Sequence, residues 1–105
     1  MKRGDVWIAE LGQPLKRRPV VVLTSDKQLP RLTNVTVALV TSNVRSIETQ
    51  VLLDPDEYGL NVRSAVSCDN IHTVPVELLD ERVSSLNVDD LNAVSEAVKV
   101  ALDLW

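Results

Sequence analysis

A chain of 105 residues has room for one domain with a single core, and we treat residues 1–105 as one domain. Its apolar runs are only a few residues long and it has one cysteine, so we expect no transmembrane helix, no signal peptide and no intrachain disulfide. This pattern predicts a protein of the reducing cytoplasm.

The formal net charge of -4 conceals an uneven distribution of charge along the chain. Residues 1–50 contain eight Lys or Arg and four acidic residues, whereas residues 51–105 contain three and eleven. A basic half of an acidic protein can form a phosphate-binding face. Uneven solvation of the surface explains the same distribution equally well, so the charge alone does not decide between these interpretations.

The residue pattern in the first half of the chain predicts three strands. Residues 6–9 form the first. Residues 18–24 form the second, because β-branched and aliphatic residues follow Pro19, which needs no N–H partner at the start of a strand. Residues 35–40 form the third, after a polar connection that contains Pro30 and allows one helical turn at most.

The second half of the chain predicts shorter elements before its last segment. The strands are residues 49–53, residues 64–73 as one long strand or two joined ones, and residues 81–86 on a weak signal. Residues 54–59 form a turn with room for a single helical turn, which Gly59 would end. Pro75 suits the start of a short helix over residues 75–79.

The surest structural prediction is a terminal helix over residues 88–104. Asn87 is suited to the N-cap, and acidic residues follow in the first turn, where the helix dipole favours them. One face is apolar at helical spacing, through Leu91, Val94, Val98, Ala101, Leu102 and Trp105. A second apolar stripe, formed by Ala97, Val100 and Leu104, predicts contact with a second subunit as well as with the sheet. Five to seven short strands with this helix predict a mainly β protein, a small antiparallel barrel with a C-terminal α-helix.

Arg18 and Thr41 are the first candidates for a functional site. Arg18 precedes Pro19, which favours an extended backbone, and its planar guanidinium can bind two phosphate oxygens at once. The simpler interpretation is that the neighbouring cations, Lys16 and Arg17 included, only keep a hydrophobic strand soluble. Thr41 follows a buried strand, where the scaffold fixes a side chain and leaves it accessible.

Two carboxylates, one histidine and one cysteine complete the list of candidates. Asp69 and Glu48 are considered as proton acceptors, and a solvated loop position is the favoured interpretation of Glu48. Strand alternation places Asn70 and His72 on one face with Cys68, opposite Asp69. We expect His72 to be structural or at the surface and Cys68 to be a core residue. No second pair of ligands accompanies Cys68 and His72, so we predict no metal site and no cofactor.

Six segments of the chain occur in an order that resembles a known family. They are Arg3-Gly4-Asp5-Val6-Trp7, Arg18-Pro19-Val20-Val21-Val22-Leu23, Leu39-Val40-Thr41-Ser42, Tyr58-Gly59-Leu60 followed by Ser64-Ala65-Val66, Cys68-Asp69-Asn70-Ile71-His72-Thr73-Val74, and Leu86 leading into the terminal helix. The family is that of the MazF/PemK toxin endoribonucleases of type II toxin–antitoxin systems. The resemblance covers nearly the whole chain, and six segments in register make chance similarity a poor explanation.

The resemblance implies an SH3-like β-barrel of the CcdB/PemK type that forms a homodimer. It also implies metal-independent, sequence-specific cleavage of single-stranded RNA, inhibited by a MazE-like antitoxin whose disordered acidic segment covers the RNA groove. The catalytic residues of the family fall on Arg18 and Thr41, and a supporting aspartate falls on Asp69. Attack by the 2′-OH without a metal would leave 2′,3′-cyclic phosphate and 5′-OH ends.

We expect the RNA contacts to come from residues close to this pair. Lys16, Arg17 and Arg45 are predicted to contact phosphates, which positions RNA without reading its sequence. The remaining predicted contacts are Ser42 and Asn43, to backbone or bases, and Asp69. The chain departs from the family pattern in loop 12–17, at Thr24-Ser25-Asp26 and at Asn70, so the cleavage sequence is not carried over.

Two other functions compete with the ribonuclease. One is a non-enzymatic toxin on the same barrel, resembling the CcdB proteins that bind DNA gyrase. The other is an inert SH3-like interaction module. The combination of Arg18 with Thr41 favours the ribonuclease, because CcdB-like proteins lack that pair.

Overall fold

The computed structural model describes residues 1–104, which contain one six-stranded antiparallel sheet, a short helix and a longer C-terminal helix. The elements are β1 (Asp5–Glu10), β2 (Arg17–Val22), β3 (Asn34–Thr41), β4 (Gln50–Leu53), α1 (Pro55–Tyr58), β5 (Ser64–Pro75), β6 (Leu79–Ser85) and α2 (Val88–Leu102). The strands lie in the order β4-β5-β3-β2-β1-β6, so that β4 and β6 form the two edges. The predicted mainly β fold with a terminal helix is confirmed.

The strands β2 and β3 lie in the middle of the sheet, and apolar side chains cover both of their faces. On one face, Val21 and Val40 belong to a core that includes Val94 of α2. On the other face, Val20 and Leu39 belong to a second core. A strand that is buried on both faces needs an unbroken apolar run, which explains why these two segments show no alternation of polar and apolar residues.

The strand β5 is one continuous strand of 12 residues with a bulge in its middle. Ala38 of β3 pairs with Ile71, whereas the next residue, Leu39, pairs with Ser67. Residues 68–70 therefore have no partner on β3. A bulge of this kind bends the strand and changes the direction in which its side chains point.

The bulge corrects the predicted placement of the side chains in this segment. Alternation put Asn70 on the same face as the buried Cys68 and opposite Asp69. In the structure Cys68 is fully buried, whereas Asp69 and Asn70 are both exposed and line the same cavity. The alternation prediction was wrong here because three residues without partners on β3 interrupt the pleat.

The helix α2 begins as predicted and ends earlier. The Asn87 side chain accepts a hydrogen bond from the Asp90 N–H at 2.8 Å, which confirms the predicted N-cap. Asp103 adopts a left-handed backbone and ends the helix after Leu102. Leu102 is 54% exposed, so its predicted place on the buried face was wrong, and Trp105 lies outside the described residues. No helix among residues 1–104 is long and apolar enough to cross a membrane.

The shorter elements differ in detail from the predictions. The weakly predicted strand is an edge strand, β6, which pairs with β1 in a register that shifts twice. Its signal is weak because edge strands carry charged residues on their solvent side. The helix predicted over 75–79 is a single 3₁₀ turn, Val76–Leu78, since the next residue already belongs to β6. Gly59 ends α1 with a φ of 68°, as predicted, and one 3₁₀ turn, Leu29–Arg31, occupies the connection before β3.

The carboxylate of Asp5 is almost completely buried at the start of β1. It accepts hydrogen bonds from the Lys2 N–H at 2.9 Å and from the Ser85 hydroxyl at 2.5 Å, and Arg82 Nε lies 3.6 Å away. Burial alone would raise the pKa of Asp5. The hydrogen bonds from Ser85 and Lys2, together with the charge of Arg82, outweigh burial and lower the pKa.

We predict that Asp5→Asn lowers the free energy of unfolding at neutral pH by about 1–3 kcal/mol, because hydrogen bonds to a charged group are lost. Since folding lowers the pKa, the ionised carboxylate stabilises the fold above its unfolded-state pKa of about 3.9, and this contribution disappears as the pH falls through the lower folded-state value. Urea denaturation at a series of pH values should therefore show a difference between the two proteins that shrinks below about pH 4.

The exposed carboxylate Glu77 provides the control for this prediction. Glu77→Gln should change the free energy of unfolding by less than about 0.5 kcal/mol across the same pH range. A difference between Asp5→Asn and the wild type that stays constant down to acid pH would contradict the stabilising role of the ionised carboxylate.

Candidate functional site

Arg18 and Thr41 are brought together by the pairing of β2 with β3. Val20 pairs with Leu39. Arg18 lies two residues before Val20 and Thr41 two residues after Leu39, so continuation of this antiparallel register would set the two residues opposite one another. Residues directly opposite one another on antiparallel strands have their side chains on the same face of the sheet. Both side chains line one cavity at this end of the sheet.

We call this cavity the central cleft. It has a volume of about 320 Å³. It is lined by Arg18, Thr41, Asn43, Arg45, Ile47, Gln50, Ser67, Asp69 and Asn70. Five of the eight predicted site residues are among these, so elements that are distant in the sequence converge on one polar surface.

The Arg18 guanidinium is half-buried and is held against the end of β3. Its Nη2 donates a hydrogen bond to the Val40 carbonyl oxygen at 2.9 Å. Its Nε is buried and has no hydrogen-bond partner among residues 1–104. Buried donors are nearly always paired, and an unpaired one costs about 1–3 kcal/mol. Such a group is typical of a functional site, where a bound anion supplies the missing acceptor.

The Thr41 hydroxyl is fixed by a local hydrogen bond. Its Oγ1 accepts from the backbone N–H of Asn43 at 3.0 Å, a type of bond that hydroxyl residues make where a strand gives way to a turn. A hydroxyl that accepts one hydrogen bond still has its own proton to donate. Thr41 can therefore donate to an acceptor bound in the central cleft.

The Asp69 carboxylate enters the central cleft from the bulge of β5. The Ser67 hydroxyl donates to its Oδ1 at 2.8 Å, and the Thr49 hydroxyl donates to its Oδ2 at 3.1 Å. The hydrogen bond from Ser67, assisted by Thr49 and the positive charge of Arg45, lowers the pKa of Asp69 against the opposing effect of desolvation. Asp69 is consequently a weak proton acceptor at neutral pH and a stable anion.

Gln50 was not among the predicted site residues, although it holds the loop that carries three of them. We call residues 42–49 the β3–β4 loop. Gln50 Nε2 donates to the Asn43 carbonyl at 3.2 Å, and its Oε1 accepts from the Arg45 N–H at 2.6 Å. The Asn43 backbone is thus held by Thr41 at its N–H and by Gln50 at its carbonyl. Sequence analysis missed this role because a glutamine in a strand carries no local signal for bonds to a preceding loop.

Three predicted site residues, Lys16, Arg17 and Ser42, line a different cavity, which we call the lateral cleft. It has a volume of about 350 Å³, and Val40 also contributes to its wall. Neighbouring strand residues point to opposite faces, so Val40 in this cleft and Thr41 in the central cleft place the two cavities on opposite faces of β3. Arg18 lines both cavities.

Arg17 differs from the other predicted cations because its guanidinium is already engaged. Its Nη1 lies 2.6 Å from Asp80 and 3.9 Å from Glu10. A phosphate would have to compete with these carboxylates for the same donors. Lys16 is exposed in the hairpin loop between β1 and β2, where its backbone has a φ of 66°.

The remaining candidates lie outside the central cleft. His72 Nε2 forms a hydrogen bond with Asn70 Oδ1 at 2.9 Å, and Glu48 is exposed on the β3–β4 loop. Cys68 is fully buried, and burial raises its pKa to about 11, as is typical of an unreactive core cysteine. Within residues 1–104, no three His, Cys, Asp or Glu side chains are grouped in a way that could hold a metal ion.

Comparisons of the sequence with known proteins point to one family. The model of the family described as PemK-like, MazF-like toxin of type II toxin–antitoxin system matches residues 2–102. The endoribonuclease MazF3 of Mycobacterium tuberculosis is 45% identical to the chain over 99 residues, which cover 94% of the chain and 92% of that protein.

Comparisons of the structure give the same fold. The solved structure of the Mycobacterium tuberculosis toxin MazF-mt6 superposes with a TM-score of 0.87 at 42% identity, covering 96% of this chain and 98% of that one. An endoribonuclease in complex with its cognate antitoxin, from a mycobacterial species, superposes with a TM-score of 0.89 at 23% identity over 100% and 97% of the two chains. At that identity the second likeness supports the fold alone.

We predict that Gln50→Leu loosens the β3–β4 loop. Two neutral hydrogen bonds are lost, which together contribute about 1–3 kcal/mol. Native-state hydrogen exchange should show a faster-exchanging Arg45 amide in this variant, because its acceptor is gone. Gln50→Glu is the matched control, since it keeps an oxygen for the Arg45 N–H and loses only the donor to Asn43. An Arg45 amide that is equally protected in wild type and Gln50→Leu would contradict the role of Gln50.

Proposed function

The chain belongs to the MazF/PemK family of toxin endoribonucleases of type II toxin–antitoxin systems, and on that premise we propose that it cleaves single-stranded RNA at specific sequences without a metal ion. We further propose that the whole chain acts as one toxin domain. The observation that carries the proposal is that Arg18 and Thr41 line the same polar cleft. A cation and a hydroxyl on two rigid strands can converge on one scissile phosphate.

The proposed reaction is an attack of the ribose 2′-OH on the neighbouring phosphorus, in line with the leaving 5′-oxygen. The bond from phosphorus to the 5′-oxygen breaks as the bond to the 2′-oxygen forms. The 2′-OH releases one proton and the leaving 5′-oxygen takes one up, which gives a 2′,3′-cyclic phosphate and a 5′-OH end. Negative charge accumulates on the non-bridging oxygens in the transition state. Donors that already point at these oxygens lower the barrier more than any other single contribution.

Arg18 and Thr41 are the donors that the central cleft offers for this charge. Arg18 has a buried Nε–H that lacks an acceptor in the protein, and its guanidinium is held in place by the Val40 carbonyl. Thr41 keeps its hydroxyl proton available because its oxygen already accepts from Asn43. A guanidinium with a pKa above about 12 is a poor base, so we assign Arg18 to electrostatic stabilisation.

The other polar residues of the two clefts are proposed to hold the RNA. Arg45 and Lys16 would contact phosphates, and Asn43 and Ser42 would contact the backbone or a base. Asp69 fits an acceptor for base amino groups, because its lowered pKa keeps it ionised and makes it a weak proton acceptor. No aromatic side chain among residues 1–104 lines the central cleft, so base recognition would depend on hydrogen bonds.

Two protein partners follow from the same premise. We propose that a cognate MazE-like antitoxin inhibits the chain, as suggested by the structure of a relative in complex with its own antitoxin. An acidic antitoxin segment would be attracted by the same cations that hold RNA. We also propose a homodimer, because Val100 of α2 and Leu104, just beyond the end of α2, are 39% and 50% exposed.

The purified chain, incubated with a long single-stranded RNA in EDTA, should cut at a limited set of sequences and leave 5′-OH ends. Thr41→Val removes the hydroxyl at nearly constant volume, and we expect the rate constant of cleavage to fall about 10²–10³-fold, as for other single transition-state donors. Thr41→Ser keeps the hydroxyl and should retain most of the activity. Arg18→Ala should abolish detectable cutting.

Mapping the ends of the fragments by their reactivity with a 5′-kinase completes the test. Cuts that persist in Arg18→Ala, or that require a divalent ion, would refute the assigned mechanism. A protein that does not cut RNA but binds DNA gyrase would support the CcdB-like alternative instead.

A further inference from the structure

Arg63, in the connection between α1 and β5, is a cation without an ion-pair partner in the described part of the chain. Residues 51–105 contain only three Lys or Arg, of which Arg82 is ion-paired with Asp5 and Lys99 with Glu96. Arg63 is exposed, and its side chain takes part in no hydrogen bond or ion pair among residues 1–104. In the strongly acidic half of the chain, an unpaired arginine is a feature that the fold itself does not require.

Arg63 faces a cavity that adjoins the central cleft. We call this cavity, of about 280 Å³ beside the edge strand β4, the edge cleft. The edge cleft shares Arg45, Ile47 and Gln50 with the central cleft, and Arg63 lines the edge cleft but not the central cleft. A strand of RNA held at Arg18 can therefore continue past Arg45 towards Arg63 without leaving the protein surface.

The surface beyond Arg63 has the opposite charge. Arg63 also borders a cavity whose walls include Asp54, Glu57 and Asp89. It forms no ion pair with these carboxylates within the described part of the chain. A polyanion would be repelled from this acidic surface, so the cationic path that begins at Arg18 ends at Arg63.

We propose that Arg63 and Arg45 form a second phosphate-binding subsite, in the edge cleft, for the same RNA strand that Arg18 holds at its scissile phosphate. This inference rests on the proposed function. Two guanidinium groups in one cavity match the oxygens of a phosphodiester through paired N–H donors. Carboxylates of an acidic peptide carry the same charge, but the continuity of the edge cleft with the central cleft favours the RNA backbone.

The test measures the salt dependence of RNA binding. An RNA on the order of ten nucleotides, centred on the mapped cleavage site and blocked there by a 2′-deoxy nucleotide, is titrated with protein at several salt concentrations. Each phosphate contact with a single strand contributes about 0.7 to the slope of log K against log salt. Arg63→Gln should reduce the slope by about that amount, and Arg63→Lys should restore most of it.

Truncated RNAs locate the contact along the strand. Removal of the nucleotides on the side that reaches Arg63 should reduce the wild-type slope by at least this amount, and it should reduce the slope of Arg63→Gln by less. With a cleavable RNA, Arg63→Gln should raise KM and leave kcat unchanged, because the subsite lies away from the reacting atoms. If Arg63 were purely structural, Arg63→Gln would instead lower the stability of the fold and leave the slope of log K against log salt unchanged.

Arg31→Gln is the matched control, since Arg31 is an exposed cation in the 3₁₀ turn before β3 and lines none of the three clefts. Equal slopes for wild type and Arg63→Gln, with a reduced slope for Arg45→Gln, would overturn the subsite and leave the proposed function intact. Weaker binding of Arg63→Gln to an acidic peptide, with unchanged binding to RNA, would also overturn it. A wild-type chain that neither binds nor cleaves RNA would overturn both proposals.

Discussion

The register between β2 and β3 is the constraint on which the site depends. Both strands are buried on both faces, so a slip of one residue would exchange the side chains of two separate cores. A change of register would therefore cost far more folding free energy than in a sheet with one solvated face. Arg18 and Thr41 lie just beyond the paired segments and line one cavity, so the packing of valines and leucines fixes where the two polar residues of the proposed reaction stand.

Irregular segments add further polar groups to this apolar scaffold. The bulge of β5 turns Asp69 and Asn70 into the central cleft, and the hydroxyls of Ser67 and Thr49 hold the Asp69 carboxylate there. Gln50 holds the β3–β4 loop against the same cavity. The polar site therefore combines residues at strand ends, such as Arg18, Thr41 and Gln50, with residues of a bulge and a loop. The regular structure supplies its rigidity.

The distribution of charge explains how an acidic protein can bind an anionic substrate. Many of its carboxylates lie away from the clefts, and several of its cations are neutralised, as Arg17 is by Asp80 and Arg82 by Asp5. The cations that face the central and edge clefts are Arg18, Arg45 and Arg63. Net charge is thus a poor guide to binding when three cations line two adjoining clefts.

The sequence by itself determined the central strands, the terminal helix and its Asn87 cap, because unbroken apolar runs and helical spacing are local signals. Its resemblance to a known family also singled out Arg18 and Thr41. Only the tertiary structure decided which polar residues share a cavity: it grouped Asp69 with Asn70, added Gln50 and separated Ser42 from Thr41. These placements depend on a strand bulge, on loop hydrogen bonds and on pairing between distant segments, and such non-local interactions leave no periodic trace in the chain.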